Sequence, residues 1–390
     1  MTRLTVHDYA ADLRPRYWAA SRREKKTILN EFCETTGLHR KAAIRLLNRS
    51  AQPKVIRRGR PRRYGPEIME PLVRVWEVGD RMCGKLLAAV MPDLLTALER
   101  HGELQVGEEA RGLLLSMSAS TIDRLLRKQH LRLSDLRPRH RPAAEPALKD
   151  EVPVRVWSEW KDVRPGSVQA DLVLHSGESS QGFHLTTLTT VDVASGWIEL
   201  EPVWGLGMDR VGGALERVRR RLPFALEALH TDNGSEFINH TLVPWCRRNR
   251  ISFTRGRAYK KNDQAWVEQR NWQSVRRHVG YQRYSTKAAF ELLLKLYPLL
   301  CLQTNFLRPV RKLVAKERLG SRSHKTYDEP RTPYQRLLKS GSLTDAEKAR
   351  LESRYLDLNP VLLEQRIGTL LRQLWEVADR WKGGRLVSAG

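Results

Sequence analysis

Acidic residues are in short supply in this chain of 390 residues: 44 Asp and Glu stand against 69 Lys and Arg, a formal net charge of +25. Such a surface disfavours cationic partners and holds polyanions by releasing their counterions, an attraction that is salt-sensitive and blind to sequence. Cysteine is scarce as well. Cys33, Cys83, Cys246 and Cys301 lie far apart with no C-x-x-C pair, which argues against a zinc knuckle or a disulfide framework and leaves reduced thiols. No apolar run reaches the roughly 18 residues of a membrane span. The N-terminus, M-T-R-L-T-V-H-D-Y, lacks the apolar region of a secretion signal. The expectation is a cytoplasmic protein with no membrane partner. Hydrophobic content of 41% and charged content of 29% suffice for globular cores, and the length predicts roughly two to four domains.

What is present centres on residues 229–271. The stretch opens L-H-T-D-N-G-S-E-F-I-N and closes K-K-N-D-Q-A-W-V-E-Q-R-N. It supplies Asp232 just after a short apolar run and Glu268 inside a helical pattern, with 35 residues between them. Upstream, Asp171 sits in another apolar run, S-V-Q-A-D-L-V-L-H. Three acids on buried-looking elements need a reason, because an unpaired buried carboxylate is costly. A pair of divalent cations is such a reason.

T-D-N-G-S-E-F followed by V-E-Q-x-N, with an upstream Asp in a strand, resembles the catalytic core of retroviral integrases and bacterial insertion-sequence transposases, over about residues 154–307. The resemblance implies an RNase H-like fold and an Asp, Asp, Glu triad of Asp171, Asp232 and Glu268. It implies that Asp171 bridges two metal ions while Asp232 and Glu268 each complete one. It also implies double-stranded DNA as partner (element ends and target DNA), and a homo-oligomer assembled on that DNA. Hard carboxylate oxygens suit two Mg²⁺ ions, or Mn²⁺, and a two-metal site suits in-line displacement at a phosphodiester. A nucleoid-associated bacterial protein is the corresponding location.

The expected fold is multidomain: N-terminal all-α helix-turn-helix units, a central α/β RNase H-like integrase core, and a C-terminal basic segment with helices. The boundaries are a helix-turn-helix domain over 1–56, a basic AT-hook-like linker over 57–65, a second helical domain over 66–133, a Pro-rich linker over 134–153, the core over 154–305 and the tail over 306–390. In the first domain, Ser21 and Glu24 form a candidate capping box for a helix to about residue 34. A helix over 38–48 follows, with Leu38, Ala42, Ile44 and Leu47 inward and Arg40, Lys41 and Arg45 outward. This is either helix-turn-helix geometry or a plain helical hairpin. Arg58, Arg60 and Arg62 lie in R-R-G-R-P-R-R, an AT-hook-like minor-groove segment or a basic linker. Arg124 and Lys128 share the outer face of a helix over 118–127.

In the core the expected order is three strands, a helix over 210–222, a strand to His230, a helix over 236–249 with Pro244 as a break, a strand, and a helix over 262–279. Gln264, Glu268 and Asn271 share one face of that last helix, and by resemblance this face touches DNA. Lys260, Lys261, Arg276 and Arg277 bracket it as phosphate contacts or a solvated charged face. Asp192 competes with Asp171 as first acid but ends its strand near a turn. Glu236 fits a helix's first turn and Asp263 a cap. His230 has no nucleophile to serve. In the tail, residues 308–325 form a basic segment, and Leu362, Leu363, Ile367, Leu370, Leu371 and Leu374 form a helical stripe. Rivals to a transposase are a structure-specific nuclease of the same fold and a transposase-derived DNA-binding regulator.

Overall fold

The computed structural model of the chain describes residues 3–49, 63–130, 163–232, 234, 236–240, 242–257, 265–319, 322–382 and 385–387. Two compact units are present, Met1–Arg63 and Tyr64–Gly390.

The first unit holds three helices, α1 (Arg3–Ala19), α2 (Arg22–Thr36) and α3 (Arg40–Leu47). The capping box forms: Glu24 N donates to Ser21 Oγ, and Ser21 N donates to Glu24 Oε2 at 2.7 Å. Gly37, at φ 70°, ends α2 in the left-handed region that glycine adopts without strain. Ile28, Leu29 and Phe32 pack on Ala43 and Leu47 and on Val6, Ala10 and Tyr17 of α1. The sequence reading placed Ala42 inward. Ala42 is exposed and Ala43 is buried, because the inward row of this short helix runs through 43 and 47, four residues apart. Arg40, Lys41 and Arg45 are exposed. Arg58, Arg60 and Arg62 lie outside the described residues.

The second unit begins with four helices, α4 (Pro66–Val78), α5 (Gly84–Arg100), α6 (Glu108–Leu115) and α7 (Ala119–His130). Arg124 is exposed on α7, and the side chain of Lys128 lies outside the description. Next come β1 (Ser167–Leu174), β2 (Thr186–Asp192), β3 (Ile198–Val203), α8 (Met208–Arg221), β4 (Ala228–Thr231), α9 (Leu242–Arg248) and β5 (Ser252–Arg255). These strands form one sheet in the order β3-β2-β1-β4-β5. The pairs β1–β2 and β2–β3 are antiparallel, while β1–β4 and β4–β5 are parallel. This mixed sheet with helical flanks has the RNase H-like arrangement. A helix lies across it in three pieces: α10 (Ala265–Arg270), a π-helical segment (Asn271–Arg276) and α11 (Arg277–Val279).

The long helix α12 (Lys287–Leu302) leads into a second π-helical segment, Gln303–Leu307. From there Asn305 closes the edge of the sheet. Ile198 N donates to Asn305 Oδ1, and Asn305 Nδ2 donates to Ile198 O, both at 2.9 Å. One side chain thereby occupies a donor and an acceptor that an edge strand leaves open to other chains.

The tail contributes a two-stranded ribbon, β6 (Leu313–Leu319) and β7 (Arg322–Tyr327), then α13 (Pro333–Lys339), α14 (Asp345–Leu356), α15 (Pro360–Glu376), β8 (Arg380–Lys382) and β9 (Arg385–Val387). On α15, Leu363, Ile367 and Leu374 are buried, and the helix packs on α12, α4 and α5. The stripe is therefore core. Leu362 departs from it, 49% exposed. Residues 66–133, 154–305 and 306–390, read as separate segments, contribute to one shared apolar core, with Leu72, Leu94, Leu188, Leu296 and Leu374 in a single cluster. Among the described residues no helix is long and apolar enough to cross a membrane.

The β2–β3 turn explains Asp192. Its carboxylate accepts from Gly166 N at 3.0 Å, Ser195 N at 2.7 Å and Ser195 Oγ at 2.6 Å. Burial pushes this carboxyl up to about 6, against the pull of those donors and of Lys312. Asp192 clasps the hairpin to the start of β1. Asp192→Ala strands buried N–H groups and is expected to cost roughly 2–3 kcal/mol in urea unfolding. Because folding raises this pKa, the associated stabilisation is present in acid and fades as pH rises through about 6.

Candidate active site

Two strands and one helix build the site. β1 and β4 are parallel neighbours with Val168 opposite Leu229 and Gln169 opposite His230. Two residues further along each strand direction come Asp171 and Asp232. Side chains alternate with period two, and adjacent strands lie about 4.8 Å apart, so the two acids continue the Gln169–His230 face at the same level. Both are half-buried.

That face carries the helix. Gln169 Oε1 accepts from Val267 N at 3.4 Å. Asp171 Oδ2 accepts from Asn271 Nδ2 at 2.5 Å. Leu174 O accepts from Arg276 Nη2 at 2.7 Å. Residues 267–276 thus run along β1 from Gln169 to Leu174. Glu268 is exposed and precedes Asn271 by three residues, which puts the two on one flank of the helix. The π-helical segment begins at Asn271 itself. Such local widenings are frequent at functional sites.

Past β4 the chain turns sharply. Asp232 Oδ1 accepts from Gly234 N at 3.0 Å. A Cβ built on Gly234 would meet the Glu236 carboxyl at 2.8 Å and Asp232 Oδ1 at 3.0 Å, so a side chain here would have to displace the Glu236 carboxyl. Glu236 was expected in the first turn of a helix; it lies in a turn instead, and the helix starts only at Leu242. Asn239 explains the delay: its Oδ1 accepts from Leu242 N at 2.8 Å and its Nδ2 donates to Glu236 O at 2.9 Å. Pro244, expected as a break, sits in the first turn of α9, where a missing N–H costs nothing.

Asp171 and Asn271 are joined directly, and Asp232 follows immediately on the adjacent strand β4. Lys260, Lys261, Asp263 and Gln264 lie outside the described residues. Arg276 and Arg277, read as phosphate contacts, are engaged within the protein. Arg276 holds Leu174 O and stacks 4.9 Å from the centroid of the Tyr281 ring. Arg277 pairs with Asp80 at 3.1 Å and donates to Asp80 O at 2.6 Å. Trp272, next to Asn271, is 49% exposed. Among the described residues no three His, Cys, Asp or Glu side chains are gathered tightly enough to hold a metal ion as they stand.

Residues 163–261 carry the integrase core domain, which places this part of the chain in the retroviral integrase superfamily. The integrase core domain model matches residues 163–261. The chain is 43% identical over 321 residues to the uncharacterized protein y4rM of Sinorhizobium fredii, covering 82% of this chain and 91% of that protein. It is also similar to the catalytic core domain of BIV integrase in its crystal structure, at 19% identity and a TM-score of 0.28, over 45% of this chain and 96% of that one. An integrase core domain indicates the polynucleotidyl transferase superfamily and implies binding of a DNA substrate.

Proposed function

We propose that the protein is a DNA transposase that hydrolyses a phosphodiester at the ends of its element, frees a 3′-OH and joins that hydroxyl to target DNA. The observation that supports this most is the bond from Asn271 to Asp171, which ties the Glu268-bearing helix to the strand beside Asp232. Asp171, Asp232 and Glu268 are the catalytic acids of this reading. Their donor set is all hard oxygen, with no thiolate or imidazole, and so fits Mg²⁺ or Mn²⁺. Two such ions, when bound, supply Lewis-acid stabilisation of the attacking and leaving oxygens. The strands fix the two Asp side chains, and Asn271 holds the orientation of Asp171 through its Nδ2 hydrogen. Glu268, exposed at a helix turn, closes onto the strands to complete the ligand set.

The three N-terminal helices and α6–α7 bind the element ends, with Arg40, Lys41, Arg45 and Arg124 toward phosphates. Arg58, Arg60, Arg62, Lys128, Lys260, Lys261 and Gln264 extend the same cationic and polar surface. Two or more copies act together on a pair of ends, in the nucleoid of a bacterial cell.

A joining assay tests the reaction. A pre-cut end incubated with plasmid and Mg²⁺ should become covalently attached to it. Cleavage by water alone, without joining, would make the protein a nuclease; binding with neither reaction would make it a regulator. End affinity should also fall steeply with salt, by about 10³–10⁵ between 50 and 200 mM if six to ten phosphates are contacted. An affinity that salt does not change would contradict binding through the basic surface.

A further inference from the structure

Behind the helix that carries Glu268 lies a cavity of about 240 Å³. Trp266, Gln269, Arg270 and Gln273 line it. Their spacing, i, i+3, i+4 and i+7, is one flank of a helix, and Glu268 and Asn271 lie on the opposite flank. One helix, about 10–12 Å across, therefore separates this cavity from the acids.

The lining carries five cations, Lys85, Arg270, Arg308, Arg311 and Lys312, and no carboxylate. Arg308 is ion-paired with Asp80. Arg270 donates to Gln273 Oε1 at 3.3 Å and Gly196 O at 3.4 Å, Arg311 Nε to Asp328 O at 3.4 Å, and Lys312 to Ala194 O at 2.9 Å, with Asp192 and Asp328 attracting Lys312 from outside the lining. Arg270 is only 7% exposed. A buried cation among cations is a site that an anion stabilises. Phosphate alone has no use for the rest of the wall, which is aromatic and aliphatic. Lys312 Nζ lies 5.9 Å from the Trp266 ring and the Arg311 guanidinium 4.7 Å from the Tyr327 ring. The buried Trp266 Nε1 has no acceptor among the described residues, and a base edge offers acceptors. The volume is below the roughly 300–1,000 Å³ of drug-sized sites, so it suits one base and not a stacked pair.

We propose that this cavity receives one unpaired nucleotide of the bound DNA, with its base against Trp266 and Tyr327 and its phosphate at Arg311 and Lys312. The assignment rests on the DNA-processing reading above. It adds a second contact for the strand, across the helix from the reacting bond.

The test compares the affinity of the full chain for a blunt duplex and for the same duplex with a short single-stranded overhang. The wild-type chain should favour the overhang about tenfold, the value of one base stacked on an aromatic ring. Lys312→Gln should bring that ratio close to one. So should Tyr327→Ala, a position 38% exposed whose truncation opens no core. Equal affinities in the wild-type chain, or a preference that survives both substitutions, overturns the proposal. So does capture of a free deoxynucleoside monophosphate without any overhang preference, which makes the occupant a free nucleotide. The joining assay runs alongside: joining without overhang preference removes the cavity alone, and loss of both joining and DNA binding removes the transposase reading with it.

Discussion

Exchange of Asp232 for Asn is expected to lower cleavage and joining by about 10³-fold or more, the scale on which charge stabilisation and metal assistance act, while the folded chain still binds DNA ends. The shapes of the two side chains are nearly the same. The amide oxygen of Asn still accepts from Gly234 N, as Asp232 Oδ1 does at 3.0 Å, so the turn survives. What disappears is one negative charge and a hard anionic ligand. End binding should hold or tighten slightly, since a carboxylate near phosphate is repulsive. Glu236→Gln is the matched control. Its carboxyl crowds the same glycine, but it lies outside the proposed ligand set and should leave most activity. If Asp232→Asn reduces binding and cleavage equally, or lowers the midpoint of thermal unfolding by several degrees, Asp232 is holding the turn and not the reaction.

Much of this site was legible because its signals are local. The apolar runs that contain Asp171 and precede Asp232 are strands, and the S-x-x-E box at Ser21 forms. What escaped depends on contacts between distant segments. Nothing near Arg276 or Arg277 reports that their guanidinium groups are used by Leu174 and Asp80. A period of 3.6 residues cannot reveal a helix that widens at Asn271 to follow a strand. Asn239 falls inside the helix expected over 236–249, and only its bond to Leu242 N shows that α9 starts six residues beyond Glu236. In α1, Val6, Ala10 and Tyr17 are buried, but Pro15 and scattered charges blur their spacing. The elements that carry Asp171 and Glu268 were legible locally; the contacts around them came from tertiary structure.

Asp80→Ala should be the most damaging single change for stability, roughly 3–5 kcal/mol by urea unfolding, the usual cost of removing one partner from a buried ion pair. Asp80 follows α4 with a positive φ of 56°, and Arg81 follows it at 52°. Its carboxylate pairs with Arg308 and Arg277 and lies 3.6 Å from His278 Nε2. Removing it leaves the arginines clustered without their counter-charge. Asp80→Asn separates charge from backbone, because Asn also tolerates the left-handed region, and it should cost less than Ala. Burial alone would raise the Asp80 carboxyl; Arg308, then His278 and Arg277, outweigh burial and hold it well below the usual carboxylate range. A pKa lowered by folding gives stability that is present above the unfolded value, about 3.9, and is lost as pH falls toward the folded one. The wild-type chain should therefore weaken below about pH 4, and Asp80→Asn should lose less there, with Asp192 acting in the opposite sense at higher pH. Arg277 continues the helix that carries Glu268 and Asn271, so Asp80 also anchors the far end of that helix to the N-terminal helices of its unit. Loosening it should slow DNA cleavage at temperatures where the chain is still folded. Unchanged stability and unchanged cleavage in Asp80→Ala would mean that Arg277 and Arg308 find other acceptors, and that the helix is fixed by its contacts with β1 alone.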